Sequence, residues 1–200
     1  MNKKIKTVIF DAGGILYDWK PVWRQCASDL GVDPEKFLEI SIALAPSAEL
    51  GEMFMDELFQ QVARQAGIAD QWKTMYEYIP KRMRRIKQTF RLLEEIKGKY
   101  RLAILTNNLP NFMDLWEKIT HYQQYFDRIF DSSVEKLRKP DERFFLLAAE
   151  RLNLKTEECL YVEDDVLYIS VAQKLGFKTV HFTDPETGVK LIRKILYGKI

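Results

Sequence analysis

The feature that most constrains the fold of this chain is a short apolar run near the N-terminus that ends in a carboxylate and two glycines. The run Val8–Phe10 is followed directly by Asp11, and Gly13 and Gly14 come next but one. An apolar run of this length that ends at glycines is typical of a buried strand that enters a tight turn. Asp11 is then expected at the carboxyl end of that strand, where open α/β sheets bind their ligands. A carboxylate in that position can be a nucleophile, a metal ligand or both, or it can merely cap the turn.

The second half of the chain alternates between strand-like and helix-like segments. Strands are predicted over residues 102–105, 125–130, 159–162 and 178–182, and helices from about 110 and over 141–152, 166–175 and 185–197. Strands that alternate with helices of this length predict parallel βαβ units. Because such crossovers are right-handed, the predicted fold class is α/β, with a Rossmann-like, doubly wound parallel sheet and helices on both faces.

The segment from Tyr17 to about Gln88 has a different pattern. Its apolar residues recur three or four positions apart, which predicts a small helical bundle inserted after the first strand. Breaks between helices are expected at residues 31–34 and 45–47, where Asp33 or Ser47 could serve as an N-cap. The basic run at 81–87 is interpreted as the solvent-facing side of a helix.

Composition excludes several classes of partner. The 31 basic and 29 acidic side chains give a net charge of +2, so there is no electrostatic argument for nucleic acid or a membrane surface. No apolar run approaches the roughly 20 residues that span a bilayer. The N-terminus lacks the apolar region of a signal peptide, and the two cysteines form no disulfide or metal pattern. These observations predict a cytoplasmic protein and leave open whether it is a monomer or a homodimer.

Polar side chains follow several of the predicted strands. Asp11 ends the first strand and Thr106 the second, Lys139 lies in a loop before a helix, and the acidic run 163–165 ends a later strand. Each has an ordinary structural explanation, such as a helix N-cap or a surface residue. The carboxyl ends of parallel strands meet at one edge, however, so these groups are expected to converge. Together they fit phosphoryl transfer to a carboxylate.

Each of these residues then has a specific expected role. Mg²⁺ takes one or two carboxylates together with waters and a phosphate oxygen, which favours Asp11 and Asp164 as metal ligands with the Gly13 carbonyl as a third oxygen. The free oxygen of Asp11 would attack phosphorus and form an aspartyl-phosphate. Backbone N–H groups, a hydroxyl and an ammonium would hold the phosphoryl oxygens. The predicted phosphate-binding residues are Ala12, Gly13, Thr106, Asn107 and Lys139.

In this order, the motifs resemble those of the haloacid dehalogenase (HAD) superfamily. The matching stretches are Phe-Asp11-Ala-Gly-Gly, Leu-Thr106-Asn-Asn, Arg-Lys139-Pro-Asp and Tyr-Val-Glu163-Asp164-Asp165. The resemblance implies a HAD-like core domain of residues 1–16 and 90–200, with an α-helical cap domain of residues 17–89 inserted after the first motif. It also implies a hydrolase in which Asp11 is the nucleophile. Thr106 and Lys139 would be the other catalytic residues and would hold the phosphate, and Asp164 would help to hold Mg²⁺.

One position departs from the family pattern. Phosphatases of the superfamily usually carry a second Asp two residues after the nucleophile, as a general acid whose contribution is roughly 10²–10⁴-fold in rate, and Gly13 stands there instead. The favoured interpretation is a Mg²⁺-dependent phosphatase for a small phosphomonoester that is weak or borrows its acid, with Asp18 as one candidate. A 2-haloacid dehalogenase, which needs neither the proton nor a metal, is the second interpretation, although the acidic run 163–165 argues against it. The third is a non-catalytic protein that binds a phosphorylated metabolite or a partner.

The predicted helical bundle would select the substrate, but periodicity does not show which side chains face it. The candidates for lining a pocket, or only the core of the bundle, are Trp19, Trp23, Met53, Met55 and Trp72.

Overall fold

A five-stranded parallel sheet forms the centre of the computed structural model, which describes residues 4–198. Its strands are β1 (Thr7–Phe10), β2 (Arg101–Thr106), β3 (Arg128–Asp131), β4 (Cys159–Glu163) and β5 (Lys178–His181). Their order is β3-β2-β1-β4-β5, so that Phe10 of the central strand is in register with Ile104 on one side and Val162 on the other. The predicted doubly wound α/β sheet is confirmed.

The helices account for most of the remaining chain. They are α1 (Lys20–Asp29), α2 (Pro34–Glu49), α3 (Met55–Gln65), α4 (Trp72–Arg82), α5 (Lys87–Ile96), α6 (Phe112–Thr120), α7 (Ser132–Glu135), α8 (Glu142–Arg151), α9 (Val166–Lys174) and α10 (Pro185–Tyr197). Short 3₁₀ turns cover Ala69–Gln71, Tyr122–Tyr125 and Thr156–Glu158. None of the helices described is both long enough and apolar enough to cross a bilayer.

The central strand is buried on both faces. Val8 and Phe10 pack into one apolar cluster, and Ile9 packs into another on the opposite face, together with Phe144 and Phe145 of α8. Alternate side chains of a strand point to opposite faces, so each face of β1 is held by a separate layer of helices. The position of Asp11, directly after β1, is therefore fixed from both sides.

Helices α1–α4, residues 20–82, form what we call the helical insertion. Helix α1 packs on α2 and α4, and α3 packs on α2 and α4. The chain enters and leaves the helical insertion side by side, since the Ile86 N–H donates to the Leu16 carbonyl at 2.8 Å and Tyr17 pairs with Arg85. The basic run at 81–87 is thus divided between the end of α4, an extended connection and the start of α5, and its assignment to one helix face was wrong.

Helix α2 confirms one expected helix boundary and contradicts another. The Asp33 side chain accepts a hydrogen bond from the Lys36 N–H at 2.7 Å and caps the N-terminus of α2, as expected. The break expected at Ala45–Ser47 does not occur, because α2 continues through Pro46 to Glu49. Pro46 lies in the last turn of the helix, where the missing N–H costs one hydrogen bond, and the packing of α2 on α1 and α3 outweighs that cost.

The start of β3 also differs from the expectation. A strand was predicted from residue 125, but Tyr125 belongs to a 3₁₀ turn and β3 begins at Arg128. The ring of Tyr122, in the same turn, stacks on Trp116 with centroids 4.6 Å apart. Asp127 then accepts the Leu102 N–H of β2 through its side chain at 2.8 Å, before the ladder begins. Tertiary packing of aromatic residues therefore overrides their strand propensity here.

Candidate active site

A cavity of about 550 Å³ lies between the carboxyl edge of the sheet and the helical insertion. The sheet edge contributes Asp11, Gly13, Asn107, Lys139, Glu163 and Asp164 to its lining. The helical insertion and its N-terminal connection contribute Trp19, Trp23, Ile42, Ala45, Glu49 and Leu58. The wall is thus polar at the sheet and largely apolar on the opposite side.

Asp11 is held at the polar end of the cavity. Its N–H donates to the Val162 carbonyl of β4 at 2.9 Å, and its Oδ1 accepts from Lys139 Nζ at 2.8 Å. The side chain is almost fully buried, and burial raises the pKa of Asp11 to about 7 even though the Lys139 ammonium opposes the rise. The nearby Glu163 carboxylate adds to the increase. Asp11 Oδ2 accepts no hydrogen bond within residues 4–198.

Lys139 is 1% exposed and lies between two carboxylates. Its Nζ donates to Asp11 at 2.8 Å and to Glu163 Oε2 at 2.7 Å. Burial alone would lower the pKa of Lys139, but these two carboxylates outweigh it and raise the pKa. The backbone of Lys139 is held at both ends by the Asn107 amide, whose Oδ1 accepts the Lys139 N–H at 2.7 Å and whose Nδ2 donates to the Lys139 carbonyl at 3.0 Å.

Glu163 anchors Lys139 and is itself fully hydrogen-bonded. Its Oε2 accepts from Lys139 and from the Tyr161 hydroxyl at 2.5 Å, and its Oε1 accepts the N–H groups of Asp164 and Asp165 at 2.9 and 3.1 Å. Burial acts to raise the pKa of Glu163, but the Lys139 ammonium outweighs it and lowers the pKa. Glu163 therefore remains a carboxylate. Asp165 is exposed and caps α9 by accepting the Leu167 N–H at 2.8 Å.

Asp164 completes a group of acidic side chains. Its side chain lies against Gly14, where an added Cβ would be 2.6 Å from Asp164 Oδ2, so a glycine is required for this close approach. Burial raises the pKa of Asp164 to about 6, and Glu163 contributes to the increase. Carboxylate oxygens of Asp11, Glu163 and Asp164 lie within 4.8 Å of one another. Hard oxygen ligands with excess negative charge fit a magnesium ion.

Comparison with known proteins identifies the family. The family model of haloacid dehalogenase-like hydrolases matches residues 5–176. The chain belongs to this family. It is 28% identical over 192 residues to a sesquiterpene phosphatase of Aspergillus oryzae, with 92% of this chain and 93% of the relative aligned.

Solved structures share the fold of this haloacid dehalogenase-like hydrolase. One is a HAD family enzyme of Bacteroides thetaiotaomicron in complex with magnesium and inorganic phosphate (TM-score 0.73, 20% identity, 88% of this chain and 93% of that chain). Another is the L-2-haloacid dehalogenase of Xanthobacter autotrophicus with chloropropionic acid covalently bound (TM-score 0.69, 20% identity, 98% of this chain and 84% of that chain).

The other predicted site residues of this haloacid dehalogenase-like hydrolase differ in whether their polar groups already have hydrogen-bond partners. Thr106 is buried at the end of β2, and its hydroxyl donates to the Asn107 carbonyl at 3.2 Å. The Asn107 side chain is occupied by Lys139, so it positions the lysine. Ala12 is buried beside Gly13, and within the described chain the N–H groups of these two residues donate no hydrogen bond. Two free N–H groups next to a carboxylate can bind an anion.

The space beside Gly13 is occupied by an indole. A Cβ added to Gly13 would lie 3.2 Å from Cδ1 and from Nε1 of Trp19. A side chain at position 13 would therefore be in tight contact with the Trp19 ring, which would have to shift slightly. Asp18, considered from sequence as a substitute acid, is exposed and does not line the cavity.

The sequence did not show which candidate residues of the predicted helical bundle line the cavity. Of the five candidate aromatic and Met residues, Trp19 and Trp23 line the cavity, whereas Met55 is in the core and Met53 and Trp72 pack against it.

An ion pair that sequence reasoning missed joins the two sides of the cavity. Arg138 Nη2 lies 2.7 Å from Glu49 Oε2 and links α2 to the loop before Lys139. No local sequence signal predicts this pair, because its partners are 89 residues apart.

Proposed function

We propose that this hydrolase is a Mg²⁺-dependent phosphatase that acts on a small phosphomonoester through an aspartyl-phosphate at Asp11. The observation that carries the proposal is the asymmetry of the Asp11 carboxylate. Its Oδ1 is fixed by the buried Lys139 ammonium, whereas its Oδ2 is free of hydrogen bonds within the described chain and belongs to a wall of the cavity. A carboxylate held by one oxygen and free at the other is oriented for nucleophilic attack.

The reaction has two steps. In the first, a carboxylate oxygen of Asp11 forms a bond to phosphorus while the bond from phosphorus to the ester oxygen breaks, and the ester oxygen leaves as an anion that water then protonates. In the second, water attacks phosphorus, the bond to Asp11 breaks, and inorganic phosphate is released. Lys139 and the N–H groups of Ala12 and Gly13 would stabilise the negative charge on the phosphoryl oxygens.

The carboxylates of Asp11 and Asp164, with the Gly13 carbonyl, would hold Mg²⁺. Bound there, the ion would neutralise charge on the phosphoryl group. The negative charge of the acidic group supports this assignment, since a single buried ammonium faces three carboxylates. The structural neighbour that contains magnesium and inorganic phosphate supports it as well.

We further propose that residues 17–89 act as a cap over a core of residues 1–16 and 90–200. The cavity supports this division, since the helical insertion contributes apolar residues such as Trp23, Ile42 and Leu58, whereas the sheet edge contributes Asp11, Lys139 and the acidic run 163–165. In this arrangement the helical insertion selects the organic part of the substrate, while the sheet edge binds phosphate and metal.

The 2-haloacid dehalogenase alternative is less well supported. A haloacid carries a carboxylate of its own, which would have to approach the acidic group of Asp11, Glu163 and Asp164, whereas the nearest buried cation, Lys139, is already paired with two of them. A phosphate meets the same acids, but Mg²⁺ between them would offset the repulsion.

The proposal is tested by hydrolysis of p-nitrophenyl phosphate with and without Mg²⁺. We expect Mg²⁺-dependent release of p-nitrophenol by the wild type, none by Asp11→Asn, and wild-type rates for Asp56→Asn, an exposed aspartate outside the cavity. Equal activity of Asp11→Asn would refute the nucleophile assignment. Release of chloride from 2-chloropropionate without Mg²⁺, together with no phosphatase activity, would favour the dehalogenase. Absence of both activities would favour a binding protein.

A further inference from the structure

Apolar side chains make up much of the cavity wall away from Asp11. Its apolar residues include Trp23, Leu58, Met83 and Phe112. Two neutral polar side chains of the lining are already engaged as donors, since the Ser41 hydroxyl donates to the Phe37 carbonyl at 2.8 Å and Asn108 Nδ2 donates to Asp131 at 2.7 Å. Within the described residues the Tyr17 hydroxyl and the two indole N–H groups of the lining donate no hydrogen bond. A sugar would bury more hydroxyl groups than these few groups can pair, which is unfavourable.

The charged side chains of that wall are paired as well. Arg138 is bound to Glu49, and Lys20 Nζ lies 3.7 Å from Asp164 Oδ2. A second anionic or cationic group on the substrate would therefore have to break an existing ion pair. The wall is suited to an uncharged apolar group.

The mouth of the cavity carries apolar side chains that face solvent. Ile42 of α2 is 51% exposed and Val166 of α9 is 63% exposed, and both line the cavity. Because they lie on opposite sides of the opening, one on the helical insertion and one at the sheet edge, an apolar substrate would cover both. Burial of their exposed surface would add to binding.

The end of the cavity next to Asp11 limits the leaving group. The Trp19 indole fills the space beside Gly13 where an acid would stand, and an indole N–H does not release a proton. An ester oxygen that departs there must therefore be stable as an anion. Phenols and carboxylic acids meet this requirement, whereas simple aliphatic alcohols and sugar hydroxyls do not.

We propose that the cavity selects phosphate esters of apolar, acidic hydroxyl compounds, which are aryl phosphates or acyl phosphates with an apolar body. This inference rests on the proposed phosphatase function and specifies its substrate class. The apolar wall recognises the organic group, and the absence of a proton donor beside Gly13 restricts the oxygen through which the phosphate is attached.

The first test is a series of 4-alkylphenyl phosphates, in which chain length changes while the acidity of the phenol stays nearly constant. We expect kcat/KM to rise with each methylene by as much as about fourfold, which corresponds to the ~0.8 kcal/mol gained on burying one CH₂. Glucose 6-phosphate and hexyl phosphate should be poor substrates, and hexanoyl phosphate should be a good one. A chain-length series that is flat within twofold, or a preference for the sugar phosphate, would overturn the inference while the phosphatase assignment stands.

The second test reduces the cavity from the cap side. Ala45→Trp places a large ring in the cavity, and Ala43→Trp places the same ring on the exposed side of the same helix, outside the cavity. We expect Ala45→Trp to abolish the chain-length dependence, whereas Ala43→Trp should leave it as in the wild type. Equal chain-length dependence in both variants would contradict the assignment of this wall.

A third measurement separates failure of the substrate class from failure of the function. Binding of 4-alkylphenylphosphonates, which cannot be hydrolysed, is measured by calorimetry in the wild type and in Ala45→Trp. Binding that tightens with chain length and is weakened by Ala45→Trp supports the apolar site even if no ester is hydrolysed. Binding that is independent of chain length refutes it whether or not the protein is a phosphatase.

Discussion

Introducing an acid at Gly13 is the sharpest test of the leaving-group end of the cavity. Gly13 does not have the left-handed backbone conformation that only glycine tolerates, so the backbone permits an Asp. The obstacle is the Trp19 ring, since the new Cβ would lie 3.2 Å from two of its atoms. Overpacking of this kind typically costs about 1–3 kcal/mol, so Gly13→Asp alone should be less stable and should gain little activity. Trp19→Ala removes the obstacle.

The combined variant should therefore behave differently from either single change. In the Trp19→Ala background, Gly13→Asp should raise kcat/KM for phenyl phosphate by roughly 10²–10⁴-fold, the usual contribution of a general acid, or about 3–5 kcal/mol in activation free energy. The gain for p-nitrophenyl phosphate should be much smaller, because p-nitrophenolate leaves without a proton. The dependence of log kcat/KM on leaving-group pKa is the measurement, with melting temperature as the control for folding. An unchanged dependence in a folded double variant would show that the ester oxygen does not leave next to residue 13.

The remaining predictions concern the charged residues around Asp11. The pKa of Asp11 is raised from 3.8 to about 7, so the stability linked to its protonation is complete below about pH 3.8 and is lost as the pH rises through about 7. Asp11→Asn should therefore have a higher melting temperature than the wild type above pH 7 in EDTA. An equal or lower melting temperature would contradict this. Lys139→Met should lower the free energy of unfolding by about 3–5 kcal/mol, because it leaves two buried carboxylates uncompensated. Lys190→Met on the surface should change the free energy of unfolding little, and urea denaturation of both variants is the measurement. Glu163→Gln should lower it by about 1–3 kcal/mol, because an amide NH₂ would face a donor, and unaltered urea curves would refute this.

The polar residues at strand ends were predictable because parallel strands direct their ends to one edge. Asp11, Lys139, Glu163 and Asp164 are separated by up to 153 residues in the chain, yet each follows a strand or opens a loop at the same edge. The apolar runs determine the strands, and the topology of a doubly wound sheet then determines where they end. No information about individual contacts was required.

The separate roles of the three acids at 163–165 were not predictable in the same way. The sequence Glu163-Asp164-Asp165 presents three equivalent acids, but the structure shows one that anchors Lys139, one that faces the cavity and one that caps a helix. Which acid takes which role depends on the direction of each side chain at the end of β4, and this direction is set by the pleat and by Gly14. Likewise, the Trp19 ring beside Gly13 depends on how α1 packs over the sheet edge, which periodicity does not specify.

The charge of the acidic group links metal binding to the activation of Asp11. Lys139 is the ammonium buried among the three carboxylates. The pKa of Asp11 is raised to about 7 and that of Asp164 to about 6, so without metal these side chains retain part of their protons near neutral pH. A cation that binds there must displace those protons, so Mg²⁺ binding and ionisation of the nucleophile become one event. We expect Mg²⁺ to raise the melting temperature more above pH 7 than at pH 5, and to release protons on binding near pH 6.5 in a calorimeter when buffers of different ionisation enthalpy are compared. Proton release that is absent in the wild type would separate the two events and would mean that Asp11 is already ionised before the metal arrives.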